Sequence, residues 1–246
     1  MREYLIFRMY GMMASWGDIA VGEFRPTFDR PSKSAIMGMI SAALGIRRDE
    51  EERLRELAAG YLMALRIDAP GTLLRDYHTA QVPASGKGRK KTVFPTRKAE
   101  LSVPKDDLNT VLSSRDYRCD ALYTVCLWSS TASPPYSLAT LKEHLDKPVF
   151  GLYLGRKSCP LSLPLEAHVV PADTISGAFS SAHFKGAAFL NRLESAKDVR
   201  VFWEGDDAGF DSVHTVQRRD EPLSRKRWQF GNRTEHYAMM KKSVRG

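Results

Sequence analysis

Residues 121–128 read ALYTVCLW, an unbroken run of aromatic, aliphatic and β-branched side chains. A run of this composition is typical of a buried strand. Two further strands are predicted upstream, at Tyr4–Tyr10 and Tyr61–Ile67. A fourth is predicted downstream at Val149–Leu154, where the sequence VFGLYL indicates burial on both faces.

Helices are predicted between these strands from capping residues and apolar spacing. Ser32 or Ser34 begins a helix with apolar residues three and four positions apart, and Gly45 is well placed to end it. A later helix begins at Ser137, and Pro148 prevents its extension.

An additional helix is predicted directly after the first. Asp49 and Glu52 have the spacing of a capping box at its start, and Gly60 closes it. Apart from this extra helix, the order is strand, helix, strand, strand, helix, strand. That order predicts an α+β, ferredoxin-like fold, in which two helices back a four-stranded antiparallel sheet.

Two segments depart from this simple pattern. Residues 68–120 are inserted between the second and third predicted strands. From residue 160 onward, short runs such as VRVFW predict a smaller, β-rich C-terminal module. We therefore expect a first domain over residues 1–159 and a second over residues 160–246.

Composition excludes several classes of protein. The chain has 246 residues, 43% of them hydrophobic, which suffices for one large domain or two small ones. Its longest apolar stretch, Ala35–Ile46, is too short to span a bilayer, and the charges at Arg2, Glu3 and Arg8 do not fit a signal peptide. We expect a cytoplasmic protein without a membrane partner. The three cysteines predict neither a disulfide framework nor a zinc ribbon.

Positive charge is concentrated in two windows of the sequence. The formal net charge is +8, whereas residues 84–118 carry a net +5 and residues 218–246 a net +6, so the remainder is slightly acidic. Basic segments on a near-neutral body suit a phosphate-bearing polymer, because each neutralised phosphate releases counterions. A solvated lysine-rich loop is the alternative for either window alone.

Motifs for catalysis are absent from the sequence. It has no phosphate-binding glycine loop, no dinucleotide fingerprint and no cysteine–histidine cluster with metal-ligand spacing. We therefore expect no metal, no cofactor and no catalytic residue. The sequence favours binding over catalysis.

The insertion contains the triplet RDY twice, at residues 75–77 and at residues 115–117. We expect the two copies to face each other at the base of an extended hairpin. Arginine binds phosphate while tyrosine stacks on a splayed base, which suits single-stranded RNA; in the alternative, each arginine simply pairs with an aspartate. The candidate RNA contacts of this hairpin are Arg75, Tyr77, His78, Arg115, Tyr117 and Arg118, and at its tip Lys87, Arg89, Lys90 and Lys91.

Two more candidate phosphate sites lie outside the insertion. The start of the first helix offers free backbone N–H groups and a favourable dipole, and the GRKS loop follows the predicted fourth strand. The alternatives are that the helix start is simply capped and that the charges of the loop are solvated. For Trp16 in the first loop, core packing is favoured over base stacking. The candidates here are Trp16, Arg30, Ser32, Lys33, Ser34, Arg156, Lys157 and Ser158.

Six segments of the chain together resemble one known family. They read YLIFRMYGMMASWGD, RPSKSAIMGMISAALGI, RDYHTAQ, CDALYTVCLW, KPVFGLYLGRKSCPL and RRDEP, in this order between Met1 and about Tyr237. The sequence is similar to the family of CasD-type subunits of the type I-E CRISPR Cascade complex, which are repeat-associated mysterious proteins (RAMPs).

The resemblance implies an RRM-related, ferredoxin-like body with a long β-hairpin thumb, here from about residue 80 to residue 118. It implies a noncatalytic subunit that binds the 5′ handle of the CRISPR RNA and caps the CasC filament next to CasA, in defence against foreign DNA. Its partners would be the CRISPR RNA, CasC, CasA, the other Cascade subunits and, through the complex, target DNA. The thumb is longer and more basic here than the family pattern.

The competing function is a metal-independent endoribonuclease that processes precursor CRISPR RNA, as relatives in another CRISPR subtype do. Tyr77 and His78, with a nearby lysine, are the only adjacent residues that would suit this chemistry. A protein-only scaffold is a third possibility, but it would leave the two basic windows unexplained.

Overall fold

The computed structural model describes residues 1–84, 93–185, 189–193, 198–206 and 208–241. The helices are α1 (Lys33–Ala43), α2 (Glu51–Ala59), α3 (Arg97–Glu100), α4 (Leu138–Asp146), α5 (Ile175–Ser181) and α6 (Leu190–Leu193), with one 3₁₀ turn at Lys105–Asp107. The strands are β1 (Arg2–Tyr10), β2 (Met13–Ala14), β3 (Trp16–Gly17), β4 (Phe24–Arg25), β5 (Thr27–Phe28), β6 (Tyr61–Ala69), β7 (Thr72–Pro83), β8 (Leu108–Cys119), β9 (Leu122–Ser129), β10 (His168–Ala172), β11 (Asp198–Trp203), β12 (His214–Ser224) and β13 (Gln229–Lys241).

The fold is mixed, with antiparallel sheets and few helices. The main sheet has seven strands in the order β10-β1-β9-β6-β11-β13-β12, and every neighbouring pair is antiparallel. A second, four-stranded sheet joins β2, β8, β4 and β7, and β3 pairs with β5. The three N-terminal strands predicted for the main sheet are confirmed as β1, β6 and β9.

Strand β9 is buried on both faces, as ALYTVCLW predicted. Alternate residues of a strand point to opposite faces, so Tyr123 and Val125 pack on the side of α1, α2 and α4, whereas Cys126 and Trp128 pack on the side of α5. The side chains of β1 are distributed between the two faces in the same way. The centre of the sheet therefore has hydrophobic side chains on both sides.

The predicted fourth strand, Val149–Leu154, is wrong. The backbone N–H groups of Val149 and Phe150 donate hydrogen bonds to the carbonyls of Ala43 and Ala42 at the end of α1, so they are not available to a sheet neighbour. Val149 and Phe150 are also largely exposed. The position beside β1 is taken instead by β10, which the sequence did not predict as the fourth strand.

The C-terminal segment is rich in strands, as predicted. Its strands β10 and β11 pair directly with β1 and β6, so residues on both sides of residue 159 contribute to one sheet. The division into domains at this residue stays a prediction.

Helix ends agree with the sequence at most positions. Ser32 accepts a hydrogen bond from the Ala35 N–H at the start of α1, and Ser137 caps α4 in the same way. The predicted capping box of α2 is wrong, because the residue before the helix is Glu50 and it makes no side-chain cap. Glu50 accepts instead from the Arg47 backbone N–H.

Gly155 fixes the loop after residue 154 against the first loop of the chain. Its φ is +85°, and an added Cβ would lie 1.9 Å from the Ser15 carbonyl oxygen. A side chain here would be strained and would also displace backbone. Gly155 therefore allows the GRKS loop to touch residues 15–16.

We expect Gly155→Ala to lower the free energy of unfolding by about 1–3 kcal/mol, the usual cost of such backbone strain. Gly17→Ala is the control, because an added Cβ there meets nothing within 4 Å. Urea denaturation of both variants measures the difference. Equal stabilities of the two variants would contradict this role for Gly155.

Candidate nucleic-acid interface

Strands β7 and β8 form the long hairpin that the sequence predicted. They pair residue by residue from Thr72 with Cys119 to Pro83 with Leu108, so the hairpin begins well before residue 80. The two RDY triplets face each other, with Arg75 opposite Asp116. The Arg75 guanidinium donates to both carboxylate oxygens of Asp116, at 2.8 and 3.2 Å, which is the arrangement expected of a structural hairpin.

Arg75 nevertheless keeps part of its surface in solvent. Its side chain is 57% exposed and lies 4.8 Å over the ring of Phe24. Tyr77 is exposed on the same face of the hairpin, since opposite and alternate residues share a face. His78 lies on the other face and contacts the Asp76 carboxylate. Tyr77 and His78 therefore do not converge on one reacting group.

The base of the hairpin brings together residues that are far apart in sequence. Tyr117 is buried, and the Arg156 guanidinium lies 4.8 Å from its ring centroid. Arg156 also donates to the carbonyl of Arg25, so it packs the GRKS loop onto the hairpin. The other predicted contacts in this region, Arg115, Lys157 and Ser158, are exposed, and Arg118 is half-buried.

The predicted tip residues, Lys87, Arg89, Lys90 and Lys91, lie outside the described residues.

Lys33 is not an open phosphate site. Its side chain is only 4% exposed, and its ammonium binds the carboxylates of Glu204 and Glu221 at 3.1 and 2.8 Å. The sequence placed Lys33 correctly at the start of α1, but not the carboxylates of two distant segments that surround it. The prediction that Lys33 contacts an RNA phosphate is therefore wrong.

Arg30 is neutralised in the same way. Its guanidinium binds Glu235 at 2.5 Å and Asp29 at 3.1 Å, and it lies 3.6 Å over the ring of Phe202. Burial alone would raise the pKa of Glu235, but the charges of Arg233, Arg30 and Arg218 lower it. Arg30 therefore stabilises the protein interior.

These groups belong to one largely buried network of ion pairs that joins the start of α1 to β11, β12 and β13. Buried charges need such partners, because removing them from water is costly. The network comprises Asp29, Arg30, Lys33, Arg200, Glu204, Arg218, Asp220, Glu221, Arg233 and Glu235.

The Trp16 ring is also part of the interior. It is 3% exposed, and its Nε1–H donates to the Tyr123 hydroxyl at 3.1 Å. This geometry agrees with core packing, the interpretation that the sequence favoured for Trp16. The alternative prediction, that an RNA base stacks on its ring, is wrong.

A groove of about 680 Å³ lies against α1. Ser32, Ser34, Gly155 and Trp16 are among the residues that line it, so the predicted helix start does border an open space. Among the lining residues there are three cations and a single carboxylate, Asp18. The groove is therefore positively charged.

Sequence reasoning missed most of the side chains that give this groove its chemistry. Arg47 and Arg48 lie two and three residues after Gly45, and Phe150 and Tyr153 belong to the segment mistaken for a strand. The signal that was available is the sequence RKRWQF at residues 225–230, in which three cations come directly before two closely spaced aromatics. The cations and aromatics that line the groove and were not among the predicted contacts are Arg47, Arg48, Phe150, Tyr153, Arg225, Trp228 and Phe230.

Within the described ranges there is no group of histidine, cysteine, aspartate or glutamate side chains that would hold a metal ion. The helices in the same ranges include none long and apolar enough to cross a bilayer.

Comparison with known proteins identifies the family. The family model described as CRISPR-associated protein (Cas_Cas5) matches residues 4–235. The chain belongs to the Cas5 family. The resemblance seen in the sequence is thereby confirmed.

A curated relative of this Cas5-family chain is the CRISPR system Cascade subunit CasD of Escherichia coli (strain K12). It is 35% identical over 173 residues, which cover 67% of this chain and 70% of the relative. A solved "CRISPR RNA-guided surveillance complex" contains a chain that is 26% identical, with a TM-score of 0.63 over 97% of this chain and 90% of that one. A second solved Cas protein, 23% identical with a TM-score of 0.60 over 97% of this chain and 95% of that one, has a similar fold.

We expect Lys33→Met to lower the free energy of unfolding by about 3–5 kcal/mol, because it removes the ammonium partner of the buried Glu204 carboxylate and of the half-buried Glu221. Lys142→Met is the matched control. Lys142 is 41% exposed and pairs with Asp146 on the surface of α4, so its loss should cost less than about 1 kcal/mol. Chemical denaturation measures both. If Lys33→Met were as stable as its control, the network would not have the role described.

Proposed function

We propose that this Cas5-family chain is a noncatalytic subunit of a type I-E Cascade complex and binds the 5′ handle of its CRISPR RNA. The observation that supports this most is the groove on α1, where three arginines, five aromatic rings and a single carboxylate are among the residues that line about 680 Å³ of open space. Guanidinium groups beside aromatic rings suit the phosphates and splayed bases of single-stranded RNA. The name of the E. coli relative, a Cascade subunit, points to the same assembly.

We also propose that the strands β10, β1, β9 and β6, with α1 and α4, form a ferredoxin-like unit of the RAMP type. Their spatial order corresponds to the fourth, first, third and second strands of such a unit, and all neighbours are antiparallel. The β7–β8 hairpin would be the thumb. Its exposed residues Arg75, Tyr77 and Arg115 remain candidate RNA contacts.

In this proposal the chain caps the CasC filament beside CasA, and it meets target DNA only through the complex. Its exposed hairpin and groove would then lie against RNA or neighbouring subunits. The buried network leaves fewer free cations than the sequence suggested, because Arg218 and Arg233 of the second basic window pair with Asp220 and Glu235.

The geometry of the described residues gives little support to the endoribonuclease alternative. Consecutive residues of a strand point to opposite faces, so Tyr77 and His78 cannot act together on one phosphodiester from the same side of β7. His78 is moreover engaged by Asp76.

We expect the double variant Arg47→Ala, Arg48→Ala to weaken binding of the full chain to its handle RNA. The logarithmic salt dependence of the association constant should fall by about 0.7 for each lost phosphate contact. Fluorescence anisotropy at several salt concentrations measures this. Lys142→Ala, on α4 away from the groove, is the control, and the same slope in both variants would contradict the groove as the RNA site.

We further expect the assembled protein not to cleave its precursor repeat RNA. End-labelled precursor incubated without divalent metal should remain intact over hours. Discrete products that disappear in a Tyr77→Phe, His78→Ala variant would show the chain to be a nuclease.

A further inference from the structure

Trp228 is an exposed aromatic ring in an unusually constrained position. It lies in the turn between β12 and β13, its residue is 59% exposed, and its φ is +52°. A bulky residue rarely adopts a positive φ unless its surroundings hold it there.

The turn is anchored to α2. The Glu51 carboxylate accepts hydrogen bonds from the Ser224 hydroxyl and from the Lys226 backbone N–H, the latter at 3.3 Å. The Ser224 hydroxyl in turn accepts from the Arg227 backbone N–H at 3.1 Å. The indole is therefore carried on an anchored turn, whose residues Arg225 and Trp228 line the groove.

Two arginines border the same indole. The guanidinium carbons of Arg48 and Arg225 lie 5.7 and 5.8 Å from the ring centroid. Neither forms an ion pair with a carboxylate of the described residues, in contrast to Arg30 and Arg233 of the buried network. Desolvation first, and then the charge of Arg48, lower the pKa of Arg225. Two arginines without carboxylate partners beside one exposed ring favour the binding of an anion that carries a planar group.

Arg225 is held in place by α1. It donates to the Ser34 carbonyl oxygen at 3.0 Å, and its Nη2 lies 2.3 Å from where a Cβ on residue 38 would be. The glycine at residue 38 thus makes room for this guanidinium. Arg225 supports one side of the indole, whereas Arg48 is exposed and available to a ligand.

We propose that Trp228 is a stacking platform for one splayed nucleobase of single-stranded RNA, with Arg48 on the adjoining phosphate. This rests on the proposed function, and it adds the residue that receives a base. A base matches the flat, exposed indole, and its phosphate matches the unpaired guanidinium. Phe230, with its ring centroid 6.5 Å from that of Trp228, extends the aromatic surface along the groove.

The test uses the full chain and handle RNAs that carry 2-aminopurine at one position at a time. We expect the fluorescence of one position to be strongly quenched on binding. Trp228→Ala should abolish that quenching and weaken binding on the order of 10-fold, the range of one lost base–aromatic stack. Trp228→Phe should retain most of both effects. Val213→Ala is the control, because Val213 is 67% exposed and does not line the groove.

Quenching that is unchanged in Trp228→Ala would overturn the platform, whatever happens to affinity. If that variant instead lost assembly with the other Cascade subunits while quenching persisted, the indole would be a protein contact, and the platform would again be wrong. Equal affinity and equal quenching with an unrelated RNA of the same length would leave the platform standing and contradict the handle as its ligand.

Discussion

The buried ion-pair network at the start of α1 is the constraint on which the other features depend. At the start of this helix, Arg30 binds Glu235 of β13, and Lys33 binds Glu221 of β12 and Glu204, the residue after β11. The C-terminal strands are thereby fixed against an N-terminal helix. Residues of α1 and of the turn after β12 both line the groove, and the network joins α1 to β12.

Charge in this protein therefore has two separate uses. Cations that find buried carboxylates stabilise the fold, and their loss would be expensive because the partner charge stays desolvated. Cations without such partners, Arg48 above all, remain available for a ligand. A formal charge of +8 does not distinguish these two groups, since that requires knowing which acidic residues come close in space.

The local features of the fold were predictable from sequence. Strand β9 follows from its composition, α1 from Ser32 and Gly45, and the hairpin from its paired triplets, because each signal lies within a few neighbouring residues. Val149–Leu154 was mistaken for a strand because apolar runs do not reveal whether their backbone groups pair with a sheet or with a helix end. Lys33 and Arg30 were misjudged for a related reason: Glu204, Glu221 and Glu235, whose carboxylates bind them, are remote in sequence.

The same limit applies to the groove. Its walls come from α1, the loop after it, the segment near Tyr153 and the turn at Trp228, and no short motif contains them all. The most direct measurement is photocrosslinking of a 4-thiouridine-containing handle RNA in the assembled complex, followed by mass spectrometry. Crosslinks to residues 47–48, 150–153 and 225–230 are expected. Crosslinks confined to other surfaces, with none in these three segments, would contradict the assignment of the groove to RNA.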